Sequence, residues 1–188
     1  MSVPDRAGTT PLDVAALGAS LRQQQRPVKA RYRDDPASAV ISAEASATVD
    51  QRALPATVPT WAGDLVAGLH PGAGGDGSRA CSADLVLQAL VACAGVTLAA
   101  VATAFGLELR RAQVRASTTW DARGTLGLDR EARVGLGDVE LVLDLEVLTA
   151  NGQPAAPEQV DRLVQLTERY CVVARTLTEP AGVSVRLA

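Results

Sequence analysis

The feature that most constrains the fold of this chain is a long apolar segment in its middle. Residues 85 to 105 are interrupted by only three polar side chains, Gln88, Thr97 and Thr103, and many of the others are alanines. The length approaches that of a membrane-spanning helix, but the polar interruptions and the small residues favour a helix buried in a protein core. The segment therefore predicts a central helix that other parts of the protein must cover.

The small residues of this helix predict how it is covered. They are Ala89, Ala92, Ala94, Gly95 and Ala99, and they would let another backbone approach closely. One domain within a chain of 188 residues offers limited material to surround such a helix. We therefore predict a homodimer in which the long helices of two chains pack together.

Composition narrows the class of protein. Hydrophobic residues make up 47% and charged residues 21% of the chain, and the net charge is −3, so we expect a folded protein that does not bind nucleic acid. The N-terminal residues lack a positively charged start followed by an apolar run, which is the mark of a secretory signal. The expected location is the cytoplasm, with no membrane partner.

The segments around the central helix indicate sheets and a second helix. Residues 1 to 27 are predicted to form a tail and a helical arm, with the helix starting at Thr10 and Pro11. Residues 28–33 and 39–50 alternate apolar and polar side chains around a turn and predict a hairpin, and residues 63–70 predict a third strand. After the central helix, 107–121 and 132–148 predict two long strands, 157–170 an amphipathic helix, and 181–188 a closing strand.

This order of elements predicts the fold class. Runs of strands interrupted by two helices are typical of an α+β domain, in which the helices pack on a curled antiparallel sheet. We expect residues 28–188 to form this domain.

The three cysteines are Cys81, Cys93 and Cys171. They are odd in number and widely spaced, so a structural disulfide framework is not expected in a reducing compartment. They form no CxxC pair, and His70 is the sole histidine, so we expect no zinc site, no other metal and no organic cofactor. Taken alone, Cys93 in its alanine-rich helix would be a buried core residue.

Cys93 and Cys171 lie in segments that resemble a known family. A glycine-rich loop, GAGGDG, precedes SADLVLQALVACAGVTL and then the strand GLELRRAQVRA, and YCVVARTL follows before a final segment. This arrangement resembles the OsmC/Ohr family over residues 28 to 188. The resemblance implies an intertwined α+β homodimer with two active sites at the subunit interface, each using two cysteines.

The resemblance also implies a chemistry. In family members with peroxidase activity, the first cysteine attacks an organic hydroperoxide as the thiolate, and the second condenses with the resulting sulfenic acid. A dithiol, often a lipoylated protein, then reduces the disulfide. By position, Cys93 would be the peroxidatic residue and Cys171 the resolving one, and the protein would act in organic hydroperoxide resistance under oxidative stress.

The sequence departs from the peroxidase pattern at several positions. A Pro-Glu pair that the peroxidases carry before the first cysteine is replaced by Ser82 and Ala83, and the proline after the second cysteine is Val172. The glutamate orients an arginine that activates the thiolate. The candidates for that arginine are Arg79 and Arg31, of which we favour Arg79.

These departures leave a second function open. The segment SADLVLQALVAC is closer to a broad OsmC-like branch without the glutamate. The alternative to a peroxidase is therefore a stress-associated protein that binds a small apolar ligand or senses redox state. For Cys81 we expect an incidental thiol, the alternative being a third thiol that competes as resolving partner.

Overall fold

The computed structural model describes residues 12–179 and 181–187. The predicted tail, residues 1 to 10, and Pro11 lie outside the described residues, so the predicted helix start at Thr10 and Pro11 does too. The chain divides into two compact units. One contains the chain up to Ala39, Val96–Gln113 and Asp144–Tyr170, and the other contains Val40–Gly95, Val114–Leu143 and the chain from Cys171 onward.

The first helix, α1, spans Val14–Asp34. The side chain of Asp13 caps its start by accepting a hydrogen bond from the backbone N–H of Ala16 at 2.8 Å. The helix continues through Pro27 to include residues 28–33, so the strand predicted there was wrong. Those residues alternate for only six positions, and a helix that has already nucleated extends readily through lysine, alanine and arginine. The predicted boundary between arm and domain, at residues 27 and 28, falls inside this helix.

The predicted second strand, residues 39–50, is mostly irregular, and only β1 (Thr48–Val49) forms within it. The hairpin instead joins β2 (Ala56–Thr60) to β3 (Gly63–Gly68), with Thr60 opposite Gly63. The third strand is thus confirmed, while the hairpin lies further along the chain than predicted. The other edge of β3 pairs in parallel with β4 (Ala80–Cys81), which leads directly into the central helix.

The central helix, α2, spans Ser82–Phe105 as predicted. Its buried residues repeat every fourth position and form one stripe along the helix: Leu90, Ala94, Leu98 and Ala102. The opposite side is open in a single chain, where Val96 is 74% exposed. By length and composition alone, α2 would also be able to cross a membrane.

Two long strands follow, as predicted. They are β5 (Leu107–Ser117) and β6 (Glu140–Thr149), which pair in a two-stranded sheet. The strand β6 begins later than predicted, because residues 132–139 form a loop with one isolated bridge between Trp120 and Leu136. A short helix, α3 (Ala122–Thr125), lies between the strands.

The amphipathic helix is confirmed as α4 (Pro157–Tyr170), and its buried residues include Leu163 and Leu166. A short helix, α5 (Val172–Thr178), follows after one residue. The closing strand is not formed, since residues 181–187 are irregular and Val183, Val185 and Leu187 are exposed. Alternation of side chains marks two faces, but a strand also needs a hydrogen-bonded neighbour. The chain is nevertheless α+β, as predicted.

Candidate functional site

Cys93 is positioned by the buried stripe of α2. It directly precedes Ala94, which has no exposed surface, and it follows Leu90 by three residues. Because residues three apart lie on neighbouring positions of one helix face, Cys93 sits at the border of the stripe. Its side chain is partly buried and packs on the core cluster formed by Leu90, Ala94 and Cys171.

Cys171 is positioned by the break between two helices. It is the single residue between α4 and α5, and it has no exposed surface. Its Sγ accepts a hydrogen bond from the backbone N–H of Ala174 at 3.4 Å, and its carbonyl accepts one from the N–H of Arg175 at 2.9 Å. The cysteine thus caps α5, which fixes its side chain in the core.

The walls around the two cysteines are apolar. They come from alternate residues of the strand region and from the first turn of α5: Val114, Ala116, Val139, Leu141, Val173 and Ala174. Alternate residues of a strand point to one face, so the period-two pattern of the sequence supplies this lining. A site with such walls has a low local polarity, which penalises charge on a buried thiol.

The structure brings Cys93 and Cys171 together as reduced thiols. Burial raises the pKa of Cys171, and the N–H of Ala174 opposes that effect in part. The hydrogen bond with Cys93 and the charge that Cys93 would carry raise the pKa further. Taken together, these effects favour the protonated form of Cys171.

Arg79 lies in the loop before α2. Its Nη1 donates a hydrogen bond to the carbonyl of Ala53 at 2.7 Å, and its aliphatic part packs beside Gly68. Hydrogen bonds from Ser78 lower the pKa of Asp76, and the charge of Arg79 adds to that effect. The other candidate arginine, Arg31, lies in α1 with its guanidinium 5.1 Å from the ring centre of Tyr32.

Cys81 lies at the far end of α2 from this pair. The helix rises about 1.5 Å per residue, so the positions of Ser82 and Cys93 are separated by about 16 Å along the axis. A disulfide requires Cα atoms within about 7 Å. Cys81 is therefore too distant to act as the resolving partner of Cys93 in the same chain. It lines a cavity near the start of α2 together with Ala83 and His70.

Comparison with known proteins identifies the family. The sequence profile of OsmC-like proteins matches residues 75–186, which include α2 and both cysteines of the pair. The chain belongs to the OsmC-like protein family. Proteins of this family are soluble, so α2 is a core helix and not a membrane span. No curated protein sequence matches the chain.

Solved structures of low sequence identity share the fold of this OsmC-like protein. The crystal structure of an OsmC-like protein from Mycoplasma pneumoniae matches with a TM-score of 0.59 and 14% identity, over 74% of this chain and 89% of that one. An OsmC-like protein of unknown function from Vibrio cholerae matches with a TM-score of 0.56 and 12% identity, over 72% of this chain and 94% of that one. A hypothetical protein from Aquifex aeolicus matches with a TM-score of 0.54 and 13% identity, over 75% of this chain and 90% of that one.

Sequence reasoning missed one feature of the site region. The ring of His70 packs edge-on against Trp120 with the ring centres 5.4 Å apart, and both residues line the cavity beside Cys81. The two residues are separated by fifty positions along the chain, so no local pattern joins them. Among the described residues, no group of three or more histidine, cysteine or acidic side chains is placed to hold a metal.

The raised pKa of Cys171 can be measured directly. In a Cys81→Ser, Cys93→Ser variant, the thiolate absorbance at 240 nm should appear with a midpoint above about 8.5, the ordinary value of a cysteine. The unfolded variant should titrate near that ordinary value. Because the unfolded chain loses its proton first, the stabilisation by neutral Cys171 is complete below about pH 8.5 and is lost as the pH rises through the folded value. A folded midpoint at or below the unfolded one would contradict the burial argument.

Proposed function

We propose that this protein is a thiol-dependent peroxidase that reduces organic hydroperoxides to alcohols in the cytoplasm. The observation that carries the proposal is the hydrogen bond of buried Cys171 with Cys93 in an apolar pocket. Burial raises the pKa of Cys171 and favours its neutral form, which supports assigning the role of nucleophile to the less buried Cys93. This is the arrangement that a nucleophile and a resolving thiol require.

The proposed reaction has two steps on the protein. The thiolate of Cys93 attacks the distal oxygen of the hydroperoxide, the O–O bond breaks, and the alkoxide leaves with a proton as the alcohol. Cys93 is then a sulfenic acid. The sulfur of Cys171 attacks that sulfur and forms the disulfide, and the hydroxyl group leaves as water with the proton of Cys171. The peroxide took up its two electrons in the first step, and this step divides the oxidation between the two sulfurs.

The third step regenerates the thiols. An external dithiol, such as that of a lipoylated protein, reduces the Cys93–Cys171 disulfide and is itself oxidised to a disulfide. The apolar walls from β5 and α5 suit a hydroperoxide with an organic substituent better than hydrogen peroxide, because they offer contact to carbon and few polar partners. The chemistry needs no metal and no organic cofactor.

The cysteine roles predict distinct outcomes for two variants. With cumene hydroperoxide and dithiothreitol, Cys93→Ser should abolish turnover, whereas Cys171→Ser should consume one equivalent and stop as a sulfenic acid that dimedone traps. Cys81→Ser is the matched control and should turn over at the wild-type rate. Turnover that survives in Cys93→Ser would refute the proposal.

The activating arginine is proposed to be Arg79, with Arg31 as the other candidate. The hydrogen bond of Arg79 goes to a neutral carbonyl, so that contact does not cancel its charge. Because Arg79 precedes α2 at the same end as Cys81, about 16 Å along the helix axis from Cys93 of its own chain, we propose that it acts on Cys93 of a second copy of the chain. Loss of that charge-assisted contact should slow peroxide consumption about tenfold, which corresponds to roughly 1.4 kcal/mol. We expect this loss in Arg79→Ala and none in Arg31→Ala or in Arg110→Ala, an exposed control on β5. A tenfold loss in Arg31→Ala alone would move the role to that residue.

We also propose that the protein acts as a homodimer. The side of α2 that carries Ala89, Ala92, Val96 and Ala99 is exposed in one chain, and a Cβ added to Gly95 would meet no atom within 4 Å. An exposed apolar side on a core helix indicates a missing neighbour. The α2 helix of a second copy of the chain supplies such a neighbour, with the same shape and the same apolar surface.

A charge on this side of α2 tests the dimer. Val96→Glu should convert the protein from a dimer to a monomer in light scattering, because a carboxylate buried between two helices would lose its hydration. Gln165→Glu, which adds the same charge at an exposed position of α4, should stay dimeric. A monomeric wild type at the concentrations of the assay would contradict the proposal.

An alternative function rests on Ala83 and on the raised pKa of Cys171. Position 83 carries alanine and not the glutamate that orients the activating arginine in the peroxidases. In this alternative, the thiols serve as redox sensors or as structural residues in a stress-associated binding protein. This alternative is favoured if both thiols react slowly with cumene hydroperoxide while remaining accessible to thiol reagents.

A further inference from the structure

A second cavity region lies at the start of α2, away from the cysteine pair. Its inner part is a cavity of about 240 Å³. Apolar side chains form most of its wall: Leu69, Ala73, Ala83, Val134 and Leu136, with the ring of Trp120. Cys81 and His70 also line it. Cavities with apolar walls and a few polar groups are the usual form of small-molecule sites.

The walls of this inner cavity are held by contacts within the chain. The pairing of Gly68 with Cys81 joins β3 to β4 at its base. Nδ1 of His70 accepts a hydrogen bond from the N–H of Gly72 at 2.9 Å, and the ring packs edge-on against Trp120. Trp120 is bridged in turn to Leu136. The cavity is therefore formed before any ligand enters.

A second, polar cavity of about 430 Å³ adjoins the first, since Trp120 and Gly135 line both. Its other lining residues include Thr119, Asp121 and Arg133. The carboxylate of Asp121 is bound by the guanidinium of Arg123, with Nη2 to Oδ2 at 2.6 Å. Over residues 12–179, the ion pairs of the structure give Arg133 no carboxylate partner. The outer cavity thus has a cation available for an anionic group.

We propose that the two cavities together bind a small carboxylic acid with an apolar body, such as a short-chain fatty acid or an aryl acid. The apolar body fills the inner cavity against Trp120, and the carboxylate lies in the outer cavity near Arg133. An inner volume of about 240 Å³ accommodates a body of roughly ten carbon-sized atoms. Within one chain, Ala83 at the wall of the inner cavity lies about 15 Å along α2 from Cys93.

The charges around the outer cavity favour an acid over a neutral ligand. Arg123 pairs with both Asp121 and Asp129. Arg133 lines the outer cavity and pairs with neither of these carboxylates. A neutral apolar ligand would use the inner cavity only, which gives the two ligand classes different responses to a change at Arg133.

The first test uses the fluorescence of Trp120. A Trp61→Phe variant removes the exposed tryptophan at the β2–β3 turn and leaves Trp120 as the reporter. Sodium octanoate should change the emission in a saturable way, and octanamide should bind more weakly. Arg133→Ala should weaken octanoate about fivefold, as expected for an exposed charge contact, and leave octanamide unchanged. Arg130→Ala is the matched control and should bind octanoate as before.

The second test uses Cys81 and does not depend on Arg133. Peptide mapping should show that iodoacetamide alkylates Cys81 in the free protein and does so more slowly with octanoate present. No saturable change with octanoate, or equal binding of octanoate and octanamide, would overturn the proposal. Protection of Cys81 without any ligand would also overturn it, because another part of the assembly would then cover the cavity. Peroxide turnover is not a readout of either test, so failure here leaves the proposed function unaffected.

Discussion

The rest of this structure depends on how α2 is buried. A helix of 24 residues with almost no polar side chains has a single stripe, repeating every fourth residue, that its own chain covers. That stripe fixes the rotation of the helix, since turning it by one residue would expose Ala94 and Leu98. The rotation in turn sets Cys93 at the border of the stripe, half-covered and adjacent to the core.

The position of Cys93 gives the two thiols unequal chemistry. Cys171 has no exposed surface and caps a helix, and burial raises its pKa, which favours the neutral thiol. Cys93 is partly exposed. The apolar packing that stabilises the helix thus leaves one thiol of the pair buried and the other partly accessible.

Local patterns in the sequence were enough to find the helices α2 and α4 and the strands β3, β5 and β6. The helix α2 is a long apolar run, the other four have a clear periodicity, and a helix makes its hydrogen bonds within one segment. The predictions for residues 28–33 and 181–188 were wrong, because a strand depends on a neighbouring strand that alternation does not reveal. The helix α1 extended through the first of these segments, and the described part of the second has no strand beside it.

The site could be predicted only in part for a similar reason. The 78 positions between Cys93 and Cys171 say nothing about their separation in space, and their pairing was predicted from family resemblance. No sequence pattern joins His70 to Trp120 or either of them to Cys81. These contacts depend on how the loop before α2 and the loop after β5 fold against each other within one unit.

Ala83 is relevant both to the proposed peroxidase site and to the inner cavity at the start of α2. In the peroxidase pattern a glutamate stands at this position, whereas here a methyl group lines the apolar inner cavity beside Leu69 and Leu136. A glutamate side chain would project several heavy atoms and a charge into that space, at the cost of desolvating the carboxylate. Ala83 therefore leaves open a space at the start of α2 that a glutamate side chain at the same position would fill.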